Sequence, residues 1–554
     1  MAVGDEPVVR LDVPPGLRTP GIRPRVAAGV MALAAIALLI GGAFAGLLLE
    51  GSGNLSGAAA AFDSYLFRVV RFTLWQALLS TILSVVPAIF VARALSRHPA
   101  FPGRALILRL FTLPLALPAI VAALGILALL GRAGYFADAL TSFQGTTWPG
   151  IYGLSGILTA HVFFNLPLAT RLLLEALDTV PPDQWRLASQ LGMGARASFR
   201  LIEWPAIRTS LAGTAGLVFM LCITSFTIVL TLGGGPASTT LEVAIYQALR
   251  FDFDPARAVA VTVLQIALTA SVVLVLARLG ANTAIDVGLP VASRRFSLVG
   301  TGERIANGAL VLAALLFVAG PMLATLAAGL EADLPKLAAD SAVRKAAATS
   351  VVLATLSAGL SVLLALALAS GRQMLARSGG LTGATWLQSA MGTGAGFVLV
   401  VPPIVIGAGW FVLLRHTEFL FAAAPLMVVA VNAVMAMPFV IRAIRPAYDS
   451  AGERNDRLCA QLGVSGWNRV RLIDWPVLRR PVMTGFAFAM ALSLGDLGVI
   501  ALFGSESVQT LPFLLLSRMG SYRTDDAAGI ALLLGVLCMG LMFLADRLGK
   551  EPVH

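Results

Sequence analysis

Few residues in this sequence could carry chemistry. Asp496 is the one carboxylate inside an otherwise uncharged run, Pro481–Gly504. An ionisable group in such a setting is costly and points to a solute path or to a tie between helices. On a path it would favour a cation. Its neighbours, Leu494-Gly495 and Leu497-Gly498, suit close helix packing, so a tie is the expectation. The four histidines, His98, His161, His416 and His554, have no metal-ligand spacing. Cys222, Cys459 and Cys538 lie far apart. A loop that cradles phosphates needs Gly-x-x-x-x-Gly-Lys-Ser/Thr. None of the three lysines, Lys336, Lys345 and Lys550, precedes Ser or Thr. The chain is therefore expected to hold no catalytic residue, metal or cofactor. Any ATP with its Mg would sit on a partner.

The elements that position Asp496 are set by composition. Of 554 residues 58% are hydrophobic and 12% charged, with mean hydropathy +0.86. Soluble domains carry about twice that charge. Uncharged runs long enough to cross a bilayer are Val26–Leu49, Phe72–Val91, Leu110–Gly131, Trp148–Thr170, Ser210–Gly233 and Ala258–Ala277. The second set is Ile305–Leu330, Ala346–Gly371, Trp386–Leu414, Phe419–Ile441, Pro481–Gly504 and Ala527–Leu544. The expected fold is an all-α integral membrane protein of twelve transmembrane helices. The first run is expected to be retained as a span, since no small-residue cleavage site follows it closely. Basic residues gather in the loops on the side of the N-terminus, which puts both termini in the cytoplasm. The net charge of +11 is thus topology, and nucleic acid is not needed to explain it.

The chain repeats itself at a shift of 271 residues. Arg171–Arg208 aligns without a gap on Arg442–Arg479, with 14 of 38 positions identical. The same shift lays Ser225 on Asp496. Each copy follows the fourth run of a six-run half, so the halves are parallel repeats: 1–279 and 305–554, joined by a cytoplasmic linker, 280–304. The repeated loop, about 175–208 and 446–479, reads as two short helices. Trp185, Leu187, Ala188 and Leu191 form an apolar stripe at helical spacing. Gly192 takes the left-handed cap position. A second helix, Ala195–Ile202, is expected to stop at Trp204-Pro205. Apolar side chains on a loop facing water want a partner surface.

The spacing Gly192…Ile202-Glu203-Trp204-Pro205, repeated as Gly463…Ile473-Asp474-Trp475-Pro476, resembles the cytoplasmic EAA loop of binding-protein-dependent ABC transporter permeases. The Glu-Ala-Ala itself is reduced to Arg186-Leu187-Ala188 and Arg457-Leu458-Cys459. The resemblance implies two tandem six-helix (MetI-like) halves in a bacterial inner membrane. It also implies loops that couple to two copies of a separate ATPase, through those residues and Gly192, Ile202, Trp204, Pro205, Gly463, Ile473, Trp475 and Pro476. Fused twelve-span members of this family serve iron(III) or thiamine. Asp63–Leu83, Gly156–Leu174, Leu232–Arg257 and Ala491–Asp525 resemble the thiamine branch, which implies thiamine and its phosphate esters as solutes and a periplasmic thiamine-binding protein as second partner. A secondary transporter is the rival class and would need more titratable groups near the midplane than Asp496 alone. A membrane enzyme would need clustered His, Asp or Cys.

Asp496 and its repeat partner Ser225 are the pathway candidates. The outer loops Gly234–Arg257 and Ser505–Asp526 occupy matching places, each an apolar stretch followed by mixed charge. Asp252, Asp254, Arg257, Arg523 and Asp525 are the candidates for docking a soluble partner.

Overall fold

The structure, a computed structural model, describes residues 22–53, 62–99, 101–278, 300–377, 385–397, 401–415, 417–420, 422–464, 466–505 and 508–549. Every regular element among them is helical. In the first half these are α1 (Ile22–Gly53), α2 (Ser64–Arg97), α3 (Ala119–Leu130), α4 (Leu154–Asp178), α5 (Trp204–Ile223), α6 (Thr227–Leu232), α7 (Leu241–Arg250) and α8 (Pro255–Arg278). The second half answers with α9 (Thr301–Glu331), α10 (Ser341–Arg377), α11 (Pro403–Leu414), α12 (Ala424–Gln461), α13 (Trp475–Gly495), α14 (Gly498–Phe503), α15 (Leu511–Gly520) and α16 (Thr524–Gly549). Most of the expected linker, with Pro290, Arg294 and Arg295, lies outside the described residues. Its last residues already belong to α9.

Ten helices among the described residues are long and apolar enough to cross a membrane. The third expected run of each half is not one helix. Arg104–Ala116 and Ala119–Leu130 meet at 110°. Leu117 and Pro118 between them are extended, with ψ 129° and 137°, as a residue before proline prefers. In the second half the run is likewise divided into Thr385–Phe397 and Pro403–Leu414, and Pro402 (φ −59°, ψ 145°) occupies the cap that Pro118 fills. Here the repeat offset is 284, not 271. The extra residues of the first half fall around a short helix, Ala137–Gln144.

The halves are not side-by-side blocks. The first helix of each crosses onto the other: α1 packs on α10 and α11, and α9 packs on α3 and α2. Glycine makes both crossings close. A Cβ on Gly409 would lie 2.2 Å from the Ala43 carbonyl oxygen, and one on Gly125 2.2 Å from that of Pro321. Around the first crossing the Trp410 indole donates to Leu39 O at 2.8 Å, and Arg415 pairs with Glu50 at 2.9 Å.

Polar residues within the bundle tie helices together, the usual use of such groups in membranes. Gln76 donates to Cys222 O at 2.9 Å, Asn432 to Ser493 Oγ at 3.0 Å, and Ser80 meets His161 Nδ1 at 2.9 Å. A symmetric pair fixes the outer ends. The Leu241 amide donates to Thr73 Oγ1 and the Leu511 amide to Ser350 Oγ, at 3.1 and 2.8 Å.

Candidate functional site

The repeated loops fold alike. The first short helix, Pro182–Gln190, opens with proline in its first turn and ends at Leu191. Gly192 follows at φ +63°. Its amide donates to Ser189 O and the Met193 amide to Ala188 O, at 3.1 and 3.0 Å. These are the two bonds of a Schellman cap. In the second copy Gly463 has φ +65°, and the Val464 amide donates to Cys459 O at 2.9 Å. Positive φ was the expectation at both glycines.

The expected apolar stripe divides into two faces. Trp185, Ala188, Val180 and Ile202 form a small core of their own. Leu187 and Leu191 are 56% and 68% exposed, and Leu201 is exposed beside them. In the second copy Cys459 is buried while Leu462, Leu472 and Trp467 are exposed. Arg186 pairs with Asp183 at the surface. The side chains of Arg457 and Leu458 lie outside the described residues. Each loop thus turns inward the side chains that shape it and presents leucines to water.

The expected helix stop at Trp204-Pro205 is corrected. The second loop helix, Ala195–Ser198, runs through a π-helical turn, Phe199–Glu203, directly into α5. The second copy repeats this with Gly466–Arg469, Val470–Asp474 and α13. Pro205 and Pro476 sit in the first turn of the α-helical part, where a missing N–H is tolerated. The widened turn redirects the Trp204 amide to Phe199 O, so the chain passes the proline without breaking.

Each π turn ends at a buried carboxylate. Glu203 accepts from Arg93 Nε at 2.7 Å and from Arg97 Nε at 2.9 Å. Arg97 also pairs with Glu303 of the second half, and both arginines reach Ala195 O. Asp474 is held more loosely, by Arg25 of α1 and by Arg469, both at 3.5 Å. Burial, then the charges of Arg304 and Arg97, lower the pKa of nearby His98. It is therefore neutral at pH 7 and can accept from Asn307.

Asp496 and Ser225 come together. Both lie where a long helix breaks: α5 gives way to α6 across Thr224–Phe226, and α13 to α14 across Asp496-Leu497. Between the breaks is a cavity of about 190 Å³ lined by Ser225, Thr227, Glu242, Pro403, Asp496 and Gly498, among others. A second cavity, about 240 Å³, shares Ala119, Thr227 and Asp496 and extends along Phe488, Ala491 and Leu492 of α13. Those residues lie between the second repeated loop and Asp496, so this cavity is on the side of the repeated loops. Asp496 stands between the two. Its Oδ1 accepts from the Gly498 amide at 3.3 Å, and its Oδ2 has no hydrogen-bond partner among the described residues. Discontinuous helices facing a central cavity are how many transporters build a solute path.

Glu242 was not singled out from the sequence, where it sits in an apolar outer stretch. Only its α7 neighbours, pairing with Thr73, bring it inward. It is 1% exposed, and its Oε1 has no partner among the described residues.

At the opposite end from the repeated loops lie the docking candidates. Asp252, Asp254, Arg523 and Asp525 are exposed. Arg257 is engaged within the fold, over the Tyr65 ring at 4.9 Å and with Asp63 at 3.4 Å. Arg523 pairs with Asp526. Two aromatic residues join them unforeseen. Phe253 and Tyr522 are 80% and 93% exposed and hold φ of +52° and +58°, a conformation that is strained for bulky side chains. Among the described residues no group of His, Cys, Asp and Glu could hold a metal.

The fold and site define a multi-pass membrane permease with two matched loops on one face and a cavity between its halves. The chain belongs to the family of binding-protein-dependent transport system inner membrane components, whose pattern it matches twice, over residues 88–284 and 374–550. It is 55% identical to the thiamine transport system permease protein ThiP of Brucella abortus over 96% of both chains. It is 43% identical to the protein of that name from Escherichia coli, over 89% of this chain and 90% of the other. A ferric transport system permease of Haemophilus influenzae aligns at 28% over 34% of this chain and 29% of its own length.

Proposed function

We propose that this chain is the permease of an ATP-driven thiamine importer in a bacterial inner membrane, with both termini cytoplasmic, twelve spans and halves of 1–279 and 305–554. The observation that carries the reading is the pair of Schellman-capped loops, each exposing leucines to water on the same face. One ATPase subunit on each loop, with ATP-Mg bound there, would supply the energy. Leu187, Gly192, Gly463 and the Trp-Pro turns are the coupling contacts. A periplasmic thiamine-binding protein would dock at Asp252, Asp254, Arg257, Arg523 and Asp525, and the exposed Phe253 and Tyr522 would fill apolar pockets on its two lobes. The solute would pass between Ser225 and Asp496.

Thiamine is favoured over iron(III) by the extent of likeness to the named thiamine permeases, which spans nearly the whole chain. The cavity's carboxylates suit a cationic solute, and the described residues lining it include no Lys or Arg. Deleting the gene in its host should abolish uptake of labelled thiamine at nanomolar concentration, and this chain supplied in trans should restore it. Unchanged uptake in the deletion strain would refute the assignment.

A further inference from the structure

We propose that Glu242 and Asp496 together form a recognition site for the positive charge of an organic cation, in the cavity where the broken helices of the two halves meet. The inference rests on the reading that solute passes between the halves. It adds the residue that reads the solute and the chemistry it reads.

Glu242 is in the wrong place for a structural carboxylate. It is 1% exposed, it lines the cavity, and its Oε1 has no hydrogen-bond partner among the described residues. Burying such a group without a partner is expensive. Elsewhere the chain pairs its buried carboxylates: Glu203 has two arginines and Asp474 has two. Here the described residues of the cavity lining supply no cation.

Asp496, which faces the same cavity, also has an oxygen without a partner. The Gly498 amide bonds the other oxygen and fixes the carboxylate at the break. The walls carry the remaining chemistry. Phe226 lines the cavity and packs edge-on to Tyr246 at 5.4 Å. An aromatic face beside two carboxylates suits a flat or quaternary organic cation better than a hydrated metal ion. At about 190 Å³ the cavity is below the usual ligand-pocket size of roughly 300–1,000 Å³. A solute of ordinary ligand size would need the halves to part before it could be held there. Asp496 borders the cavity on the coupling-loop side as well, so it can hold the cation as the first cavity closes and the second opens.

The test uses the full chain in proteoliposomes with its ATPase and binding protein. Glu242→Gln should lower thiamine imported per ATP hydrolysed by about tenfold or more, the loss of one charge-assisted contact. ATPase stimulation by the loaded binding protein should stay within about twofold, because Glu242 is buried and none of the exposed docking candidates is changed. Glu242→Asp should recover much of the import. The thermal midpoint of purified Glu242→Gln should stay within about 2 °C of the wild type, since glutamine keeps the shape and no ion pair is lost. Millimolar thiamine should stabilise the wild-type chain against heat and fail to stabilise Glu242→Gln. Asp496→Asn should show the same pattern.

A Glu242→Gln variant that imports as well as the wild type would overturn the proposal. So would one that fails to fold or loses midpoint, because the carboxylate would then be structural. Wild-type proteoliposomes that import no thiamine would refute the assigned substrate alone. The thermal shift by thiamine would still decide the site.

Discussion

Gly192 gives a clean test of the coupling loops, because two effects that usually mix are separate there. Its φ is +63°, and a Cβ built on it meets nothing within 4 Å. Substitution therefore causes no clash, and the whole effect is backbone strain. For an L-residue the left-handed conformation costs roughly 1–2 kcal/mol. At about 1.4 kcal/mol per tenfold, Gly192→Ala should weaken ATPase binding about 5- to 30-fold. Gly192→Val should do more, since β-branching adds crowding. Asparagine tolerates this conformation, so Gly192→Asn should stay within about threefold. The assay is a titration of purified permease in nanodiscs with the ATPase, read as affinity and as stimulated hydrolysis. The binding protein's affinity for its vitamin should not change. Equal losses for Ala and Asn would refute the reasoning, because strain would not be the cause. Native affinity for Val would refute the placement of Gly192 in the contact.

Other expectations follow from the same contacts. Glu203→Ala removes the buried carboxylate that both Arg93 and Arg97 bond, leaving them Glu303 and Ala195 O, and should destabilise the chain by about 3 kcal/mol. Asp474→Ala, whose contacts are longer, should cost less by thermal denaturation. Gly409→Val drives a side chain into the Ala43 backbone and should lower the midpoint by several degrees, whereas Gly359→Ala, with open space around it, should not. Phe253→Ser with Tyr522→Ser should weaken stimulation by the binding protein about tenfold and leave basal hydrolysis unchanged. Native mass spectrometry should find one permease chain with two ATPase subunits; two permease chains would contradict the fused-halves account.

The sequence made the repeat, the loop glycines and most spans legible because each is a local pattern. A hydrophobic run, a cap position and a 271-residue shift need no tertiary knowledge. The broken third runs were missed because apolar composition does not register a bend: Pro118 and Pro402 sit in runs as apolar as any span. The ramp through Pro205 was missed because a π turn depends on which carbonyl the Trp204 amide finds. The Leu187 and Trp185 faces could not be separated, since spacing gives a stripe but not which side has a partner. Asp496 was read as a tie between helices. It does cap its own break through Gly498 and interacts with Asn432 of α12, and it also lines both cavities. Glu242 could not have been found at all, since its burial depends on α7 folding inward against α2.

The measurement that tests the central claim most directly is ATP-dependent uptake by purified components. Proteoliposomes holding this chain and the ATPase, with the binding protein and labelled thiamine outside, should accumulate label only when ATP is enclosed. Accumulation should stop when both Gly192 and Gly463 are replaced by Val. Uptake without ATP, or uptake that survives the double replacement at normal protein level, would contradict the account.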